Sequence, residues 1–311
     1  MKGLELSRKF YNEYGAPMLK EQFPELTKYL AVGLLGSGSE CLGFDDEISK
    51  DHDFEPGFCI FLPDETIVDS KAEFALERAY AKLPDEFMGY KRSRINPVGE
   101  HRHGVIRISD FLERRLGNSG GVLSNEAWLY TDEQYLLETI NGEIFFDNLG
   151  VLSDLRERLS YMPEDIRLKK LAGNLLLMAQ AGQYNYNRLI KRGETGAAQL
   201  SLFRFTEAAL AVIFLINKKY KPYYKWAFRA LTGLPLMSHL SENLELLIST
   251  PNDDSALKSE LIEKIAAAVI AELEKQRLTT GGCLDLERQA YSVNDKIKDS
   301  NLRNMNILSG V

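Results

Sequence analysis

Cysteine is scarce in this chain: Cys41, Cys59 and Cys283 are the only three among 311 residues. An odd count at unrelated spacings supports neither a disulfide framework nor a zinc site, and it fits reduced thiols of a cytoplasmic protein. Long apolar runs are also missing. The longest, Ala208 to Ile216, is too short to span a bilayer, and Met1-Lys2-Gly3-Leu4-Glu5 lacks the apolar core of a secretion signal. No membrane partner is expected. Positive charge is in deficit, with a formal net charge of −7, which argues against a general nucleic-acid coat while leaving room for a local basic groove. Internal repeats and low-complexity stretches are absent. What remains is an ordinary globular composition, 44% hydrophobic and 27% charged, long enough for two modest domains.

The chain's most informative stretch begins with the apolar run Leu30-Ala31-Val32-Gly33-Leu34-Leu35, which reads as a buried strand. Gly36-Ser37-Gly38-Ser39 follows. A Gly-Ser turn at that place presents backbone N–H groups and hydroxyls where a helix would begin, a geometry suited to phosphate oxygens. Ser39 either assists there or caps that helix. Further on, Asp51-His52-Asp53 places two carboxylates one residue apart, on one face if the segment is a strand. Side by side, such carboxylates repel unless a cation such as Mg²⁺ lies between them. Strand two is expected over about 51 to 62, interrupted by Pro56-Gly57. Alternation points His52 to the opposite face, where it reads as a buried hydrogen-bonded histidine ahead of a catalytic one.

Downstream, Val68-Asp69-Ser70-Lys71 predicts a capped helix start, Gly104-Val105-Ile106-Arg107-Ile108 another strand, and Ser109-Asp110 a helix opening. His101 and His103 flank Arg102 and read as surface or substrate-loop residues. From about residue 125 strand signals stop. Thr131-Asp132-Glu133-Gln134 is a capping box before a short helix closed by Gly142, and Pro163 opens a long helical pattern reaching Gly193. Further helices are expected over about 197–219, 223–231, 239–249 and 255–278. The predicted fold is α+β: a small mixed-sheet domain over 1–125 followed by an all-helical domain over 126–311.

The order Gly36-Ser37, loop, Asp51-x-Asp53 resembles the polymerase-beta-like nucleotidyltransferase superfamily. Within it the chain looks closest to an uncharacterised bacterial branch, distantly similar to the kanamycin-type antibiotic nucleotidyltransferases. The resemblance is specific for about the first 60 residues, and the layout of an α/β domain before a helical one agrees with it. It implies transfer of a nucleoside monophosphate from a nucleoside triphosphate, with ATP the expected donor, to an unidentified small molecule or protein side chain. Asp51 and Asp53 would hold Mg²⁺ or Mn²⁺, and Gly36, Ser37, Gly38 and Ser39 would bind phosphate. Superfamily members add a third carboxylate from the next strand. Here that strand offers Val105, Arg107 and Ser109, none an acid, leaving Glu100, Asp110, Glu143 or Glu207 as substitutes. This gap supports an alternative: a degenerate nucleotidyltransferase fold that binds nucleotide or a partner protein as a regulatory module.

A second feature is Asn217-Lys218-Lys219-Tyr220-Lys221-Pro222-Tyr223-Tyr224-Lys225-Trp226, lysines interleaved with aromatics. Such a segment can stack a base and neutralise phosphate, or it is a helix–helix turn with solvated lysines. A similar turn in antibiotic nucleotidyltransferase relatives faces the active cleft, so Lys225, with Lys221 and Arg188, is a candidate phosphate contact. A helical ribonuclease needs an Arg shortly before a His. Arg229 lies ten residues before His239, too far for that pattern.

Overall fold

We describe a computed structural model of residues 1–51, 54–92 and 102–311; of Lys50 and Asp51 only the backbone is described. The chain is α+β, and it divides into two units: Met1–Leu123 with Gln134–Ser160, and Ser124–Glu133 with Tyr161–Val311.

The first unit is built on a four-stranded sheet. Strand β1 is Ala31–Leu34, β2 is Cys59–Leu62, β5 is Gly104–Arg107 and β6 is Glu143–Asp147. A small hairpin, β3 Glu86–Phe87 and β4 Tyr90–Lys91, stands apart. The sheet order is β5-β2-β1-β6. β1 runs antiparallel to both β2 and β6, and β2 runs parallel to β5. Every residue of β1 and β2 is buried, which explains their unbroken apolar sequence: strands covered on both faces need no polar alternation. The core on one face joins Leu6 and Phe10 of the helix Gly3–Phe10 to Val32, Phe58, Ile60 and Leu62. Each such fully buried side chain contributes about 2 kcal/mol by removing apolar surface from water. Phe58 sits edge-on to Tyr11 and Tyr80, and its N–H donates to the Tyr80 hydroxyl at 3.1 Å.

Three expectations change here. Strand two is Cys59–Leu62, not 51–62: residues 48–51 form a 3₁₀ turn, and Pro56, which lacks an N–H to pair, precedes the true strand. The third strand ends at Arg107, so Ser109 lies in the helix Ile108–Leu116. Strand signals do not stop at 125, because β6 pairs with β1 along Ala31↔Asp147 to Leu34↔Glu143. Residues 134–160 consequently belong with the first unit, past the 125/126 boundary read from the sequence.

The second unit is helical. The helix Glu164–Met178, with Pro163 before its first turn, runs through a π-helical stretch Ala179–Tyr186 into Asn187–Lys191. Its core partner is Thr195–Ile216, a helix long and apolar enough to cross a membrane by length and composition, yet with 72% of its apolar window buried. Arg167 is buried beside it, donating to the Leu215 carbonyl at 3.2 Å and paired with Glu164. Tyr224–Thr232, Ser241–Ser249 and Ser255–Lys275 follow near their expected positions, and Leu286–Asn294 and Ser300–Asn304 complete the unit.

Candidate functional site

β1 delivers the chain into the Gly-Ser turn. Gly36 and Gly38 adopt φ of +111° and +122°, a backbone region that L side chains rarely enter. Asn141 pins the turn from the far side: its Oδ1 accepts from the Gly36 N–H at 2.9 Å, and its Nδ2 donates to the Gly36 carbonyl at 2.8 Å. The Gly36 amide is thus engaged and is not open to a phosphate. Among the described residues, no hydrogen bond engages the amides or hydroxyls of Ser37, Gly38 and Ser39. No helix follows. Residues 39–43 form a turn closed by Gly43 N–H to the Glu40 carbonyl at 3.0 Å and Phe44 N–H to the Ser39 carbonyl at 2.8 Å. Ser39 therefore opens a turn, and no helix N-terminus directly follows the Gly-Ser segment.

Positive charge comes from side chains instead. A Cβ placed on Gly36 would stand 2.6 Å from Arg115 Nη2, and one on Gly38 would collide with Arg102 Nη2 and lie 2.6 Å from Glu40 Oε1. Two guanidinium groups therefore rest directly on the turn. Arg102 pairs with Glu40, and Arg115 Nε lies 3.6 Å from Glu138 Oε2. The Arg115 side chain is 7% exposed and stacks over the Phe111 ring at 4.2 Å. Burial lowers the Arg102 pKa from its ordinary value, and the Glu138 carboxylate pushes it back up. Ser37, Arg102, Arg114 and Arg115 line a cleft walled by Cys59 and Phe111. The Cys59 thiol, pushed up to about 12 by burial, donates to the Arg102 carbonyl at 3.2 Å, and burial also raises Cys41. Neither thiol is a thiolate near neutral pH.

The candidate metal pair is described only in part. Asp51 ends the 3₁₀ turn Ile48–Asp51; Asp53 and His52 lie outside the described residues, as do Glu100 and His101. Two carboxylates one residue apart are a donor set suited to a hard divalent cation. Among the described residues no group of three or more His, Cys, Asp or Glu could hold a metal ion. Asp45 is structural: it accepts from the Gly3 N–H at 2.8 Å and pairs with Lys2 at 3.2 Å. The β5 strand carries no acid, and its Arg107 donates to the Pro63 and Val68 carbonyls while pairing with Glu73. Of the substitutes, Glu143 pairs with Arg8, Asp110 is exposed, and Glu207 is exposed in the second unit. His103 is no surface residue. It is half-buried, its Nδ1 lies 3.2 Å from Glu55 Oε1, and its ring packs where a Gly57 Cβ would come within 2.5 Å of Cγ.

In the second unit Lys225 and Arg188 are both exposed. Lys225 Nζ lies 4.9 Å above the Trp226 ring; Arg188 lies 3.8 Å above the Tyr184 ring and donates to its hydroxyl at 2.6 Å. Lys221 uses its backbone, donating to Glu133 Oε2 at 2.9 Å. Burial raises the Glu133 carboxyl and lowers the Lys170 amine, each opposing the other's shift by its charge. Tyr161 and Tyr220 face each other beside them at 5.3 Å. This cluster escaped the sequence reading because its members are separated along the chain and none is exceptional alone.

The description "Domain of unknown function (DUF4037)" belongs to the family model that matches residues 128–227, a segment that excludes the Gly-Ser turn. No curated protein matches the chain. Among solved structures, the chain is similar to a nucleotidyltransferase-like protein from Exiguobacterium sibiricum 255-15. They share 14% identity over 94% of this chain and 89% of that one, with a TM-score of 0.37.

Proposed function

We propose that the chain is a nucleotidyltransferase, moving a nucleoside monophosphate from a nucleoside triphosphate, ATP being the expected donor, to a hydroxyl-bearing small molecule or protein side chain. The observation that supports this best is the turn itself: among the described residues, Ser37, Gly38 and Ser39 keep their amides and hydroxyls unengaged beside the buried Arg115 and the half-buried Arg102. Transfer of this kind depends on positioning and charge neutralisation more than on covalent help from the protein. Ser37 and the Gly38 and Ser39 amides would hold phosphate oxygens, while Asn141 fixes the turn that presents them. Asp51 and Asp53 would hold Mg²⁺ or Mn²⁺, which when bound neutralises phosphate charge and polarises the attacked phosphorus. Lys225 and Arg188 are proposed as further phosphate contacts.

A second reading, a binding module without turnover, is favoured by one observation: β5 bears no acid, and Glu143 is committed to Arg8. Incubation with each labelled triphosphate and Mg²⁺, followed by mass spectrometry for a monophosphate adduct, separates the two. Transfer predicts an adduct that disappears in Asp51→Asn and Asp53→Asn proteins whose melting temperature is unchanged or raised, since each substitution relieves like-charge repulsion. Unaltered turnover in either variant removes the pair from catalysis. Metal-dependent nucleotide binding with no adduct favours the binding module.

A further inference from the structure

A phosphate-holding turn ordinarily draws on the positive end of a helix. Here the chain after Ser39 makes a non-helical turn, and charged side chains supply positive charge at Ser37. Three are at hand. Arg102 and Arg115 lie against Gly38 and Gly36, and Arg114, exposed on the helix Ile108–Leu116, lines the same cleft with Ser37. Two carboxylates face these three guanidinium groups, Glu40 against Arg102 and Glu138 beside Arg115. Among the described residues of this cleft, three guanidinium groups thus meet two carboxylates, in a chain whose net charge is −7.

The two carboxylates are not equivalent: Glu40 is buried and Glu138 half-buried. Glu138 lies off the turn, 3.6 Å from Arg115 Nε, and its charge also acts on Arg102. Glu40 lies on the turn itself, its carboxylate oxygens 2.6 and 2.7 Å from where a Gly38 Cβ would be. It occupies the position beside Arg102 and the Gly38 backbone that a phosphate oxygen would need. A guanidinium accepts carboxylate or phosphate with the same forked geometry, so one anion can replace the other without Arg102 moving.

We propose that Arg102, Arg114 and Arg115 form a clamp for the phosphate chain of the ligand, and that Glu40 is its internal competitor, holding Arg102 until a phosphate displaces it. The proposal rests on the triphosphate reading above for the identity of the ligand, but the clamp recognises polyphosphate and not the nucleoside. It also implies selectivity: a group bearing several negative charges displaces Glu40, whereas a singly charged anion does not.

Inorganic tripolyphosphate, titrated calorimetrically into the full chain without divalent metal, tests this. The wild type is expected to bind it, and Arg102→Ala to weaken binding by about tenfold or more. Arg114→Ala alters an exposed residue and leaves the fold intact; it is expected to weaken binding by about threefold and to flatten its salt dependence. Glu40→Gln is expected to tighten binding, because Arg102 loses its competing anion. If Arg102→Ala fails to fold, the Arg114 and Glu40 variants decide. Absence of tripolyphosphate binding by the wild type, unchanged affinity in folded Arg variants, or weaker binding in a folded Glu40→Gln protein overturns the clamp. Adduct formation by a protein lacking clamp behaviour leaves the transfer reading standing. Clamp behaviour without an adduct from any triphosphate overturns transfer and leaves the clamp.

Discussion

Gly36 depends on a residue 105 positions away: both of its backbone polar groups are satisfied by Asn141, which is itself buried. Asn141→Ala leaves a buried N–H and C=O unpaired, and a loss of about 2 kcal/mol or more in urea unfolding is expected; a variant as stable as the wild type would show that water replaces the side chain. His103 provides a pH test. Burial pulls its imidazole below the ordinary value of 6.5, and Glu55 pushes back less strongly. The unfolded chain takes up a proton at that histidine before the folded protein does, so stability is complete above about pH 6.5 and is lost as pH falls through the depressed value. In His103→Gln this contribution is absent. The drop in urea midpoint between about pH 7.5 and about pH 5.5 should therefore be smaller than in the wild type; an equal drop would assign the acid sensitivity elsewhere. The Gly-Ser turn was legible because glycines and hydroxyls follow a buried apolar run. Arg102, Arg115, Glu138 and Asn141 were not, since only tertiary packing brings them to it.

Helices with polar caps were the easiest elements to read. Asp69 caps Ser70–Ala81, its side chain accepting from the Ala72 N–H at 2.8 Å, so Asp69→Ala is expected to cost about 1 kcal/mol in urea unfolding, and no measurable change would mean the helix end is held by packing alone. Strands were harder. β1 announced itself as a continuous apolar run, but β6, Glu143-Ile144-Phe145-Phe146-Asp147, has acids at both ends and is half-buried at all five positions. Neither alternation nor an unbroken apolar run marks it. The segment 51–62 misled in the opposite direction: its apolar end, Cys59–Leu62, belongs to the sheet, while Asp51 at its start ends a 3₁₀ turn.

For the whole chain, the coarse order of a mixed sheet followed by helices was readable from composition along the sequence, whereas the path between the units was not. The chain leaves the first unit after Leu123, contributes Ser124–Glu133 to the second, returns for Gln134–Ser160, and leaves again. A fragment of residues 1–125 would thus lack β6 and expose the full edge of β1, with buried Val32 and Leu34 beside it. That fragment is expected to aggregate or to lack cooperative thermal unfolding by circular dichroism; a soluble fragment with a sharp transition would show that β6 is dispensable.

The same path sets a timetable for a chain made from its N-terminus. Ala31 emerges from the ribosome early, but its partner Asp147 appears only after Ser124–Glu133 has already been released. β1 must therefore stay unpaired on one edge through most of the first half of synthesis, while a piece of the second unit waits for helices not yet translated. Slow elongation before Asp147 would prolong that exposure and favour capture by chaperones, whereas a pause after Ser160 would let the sheet close first.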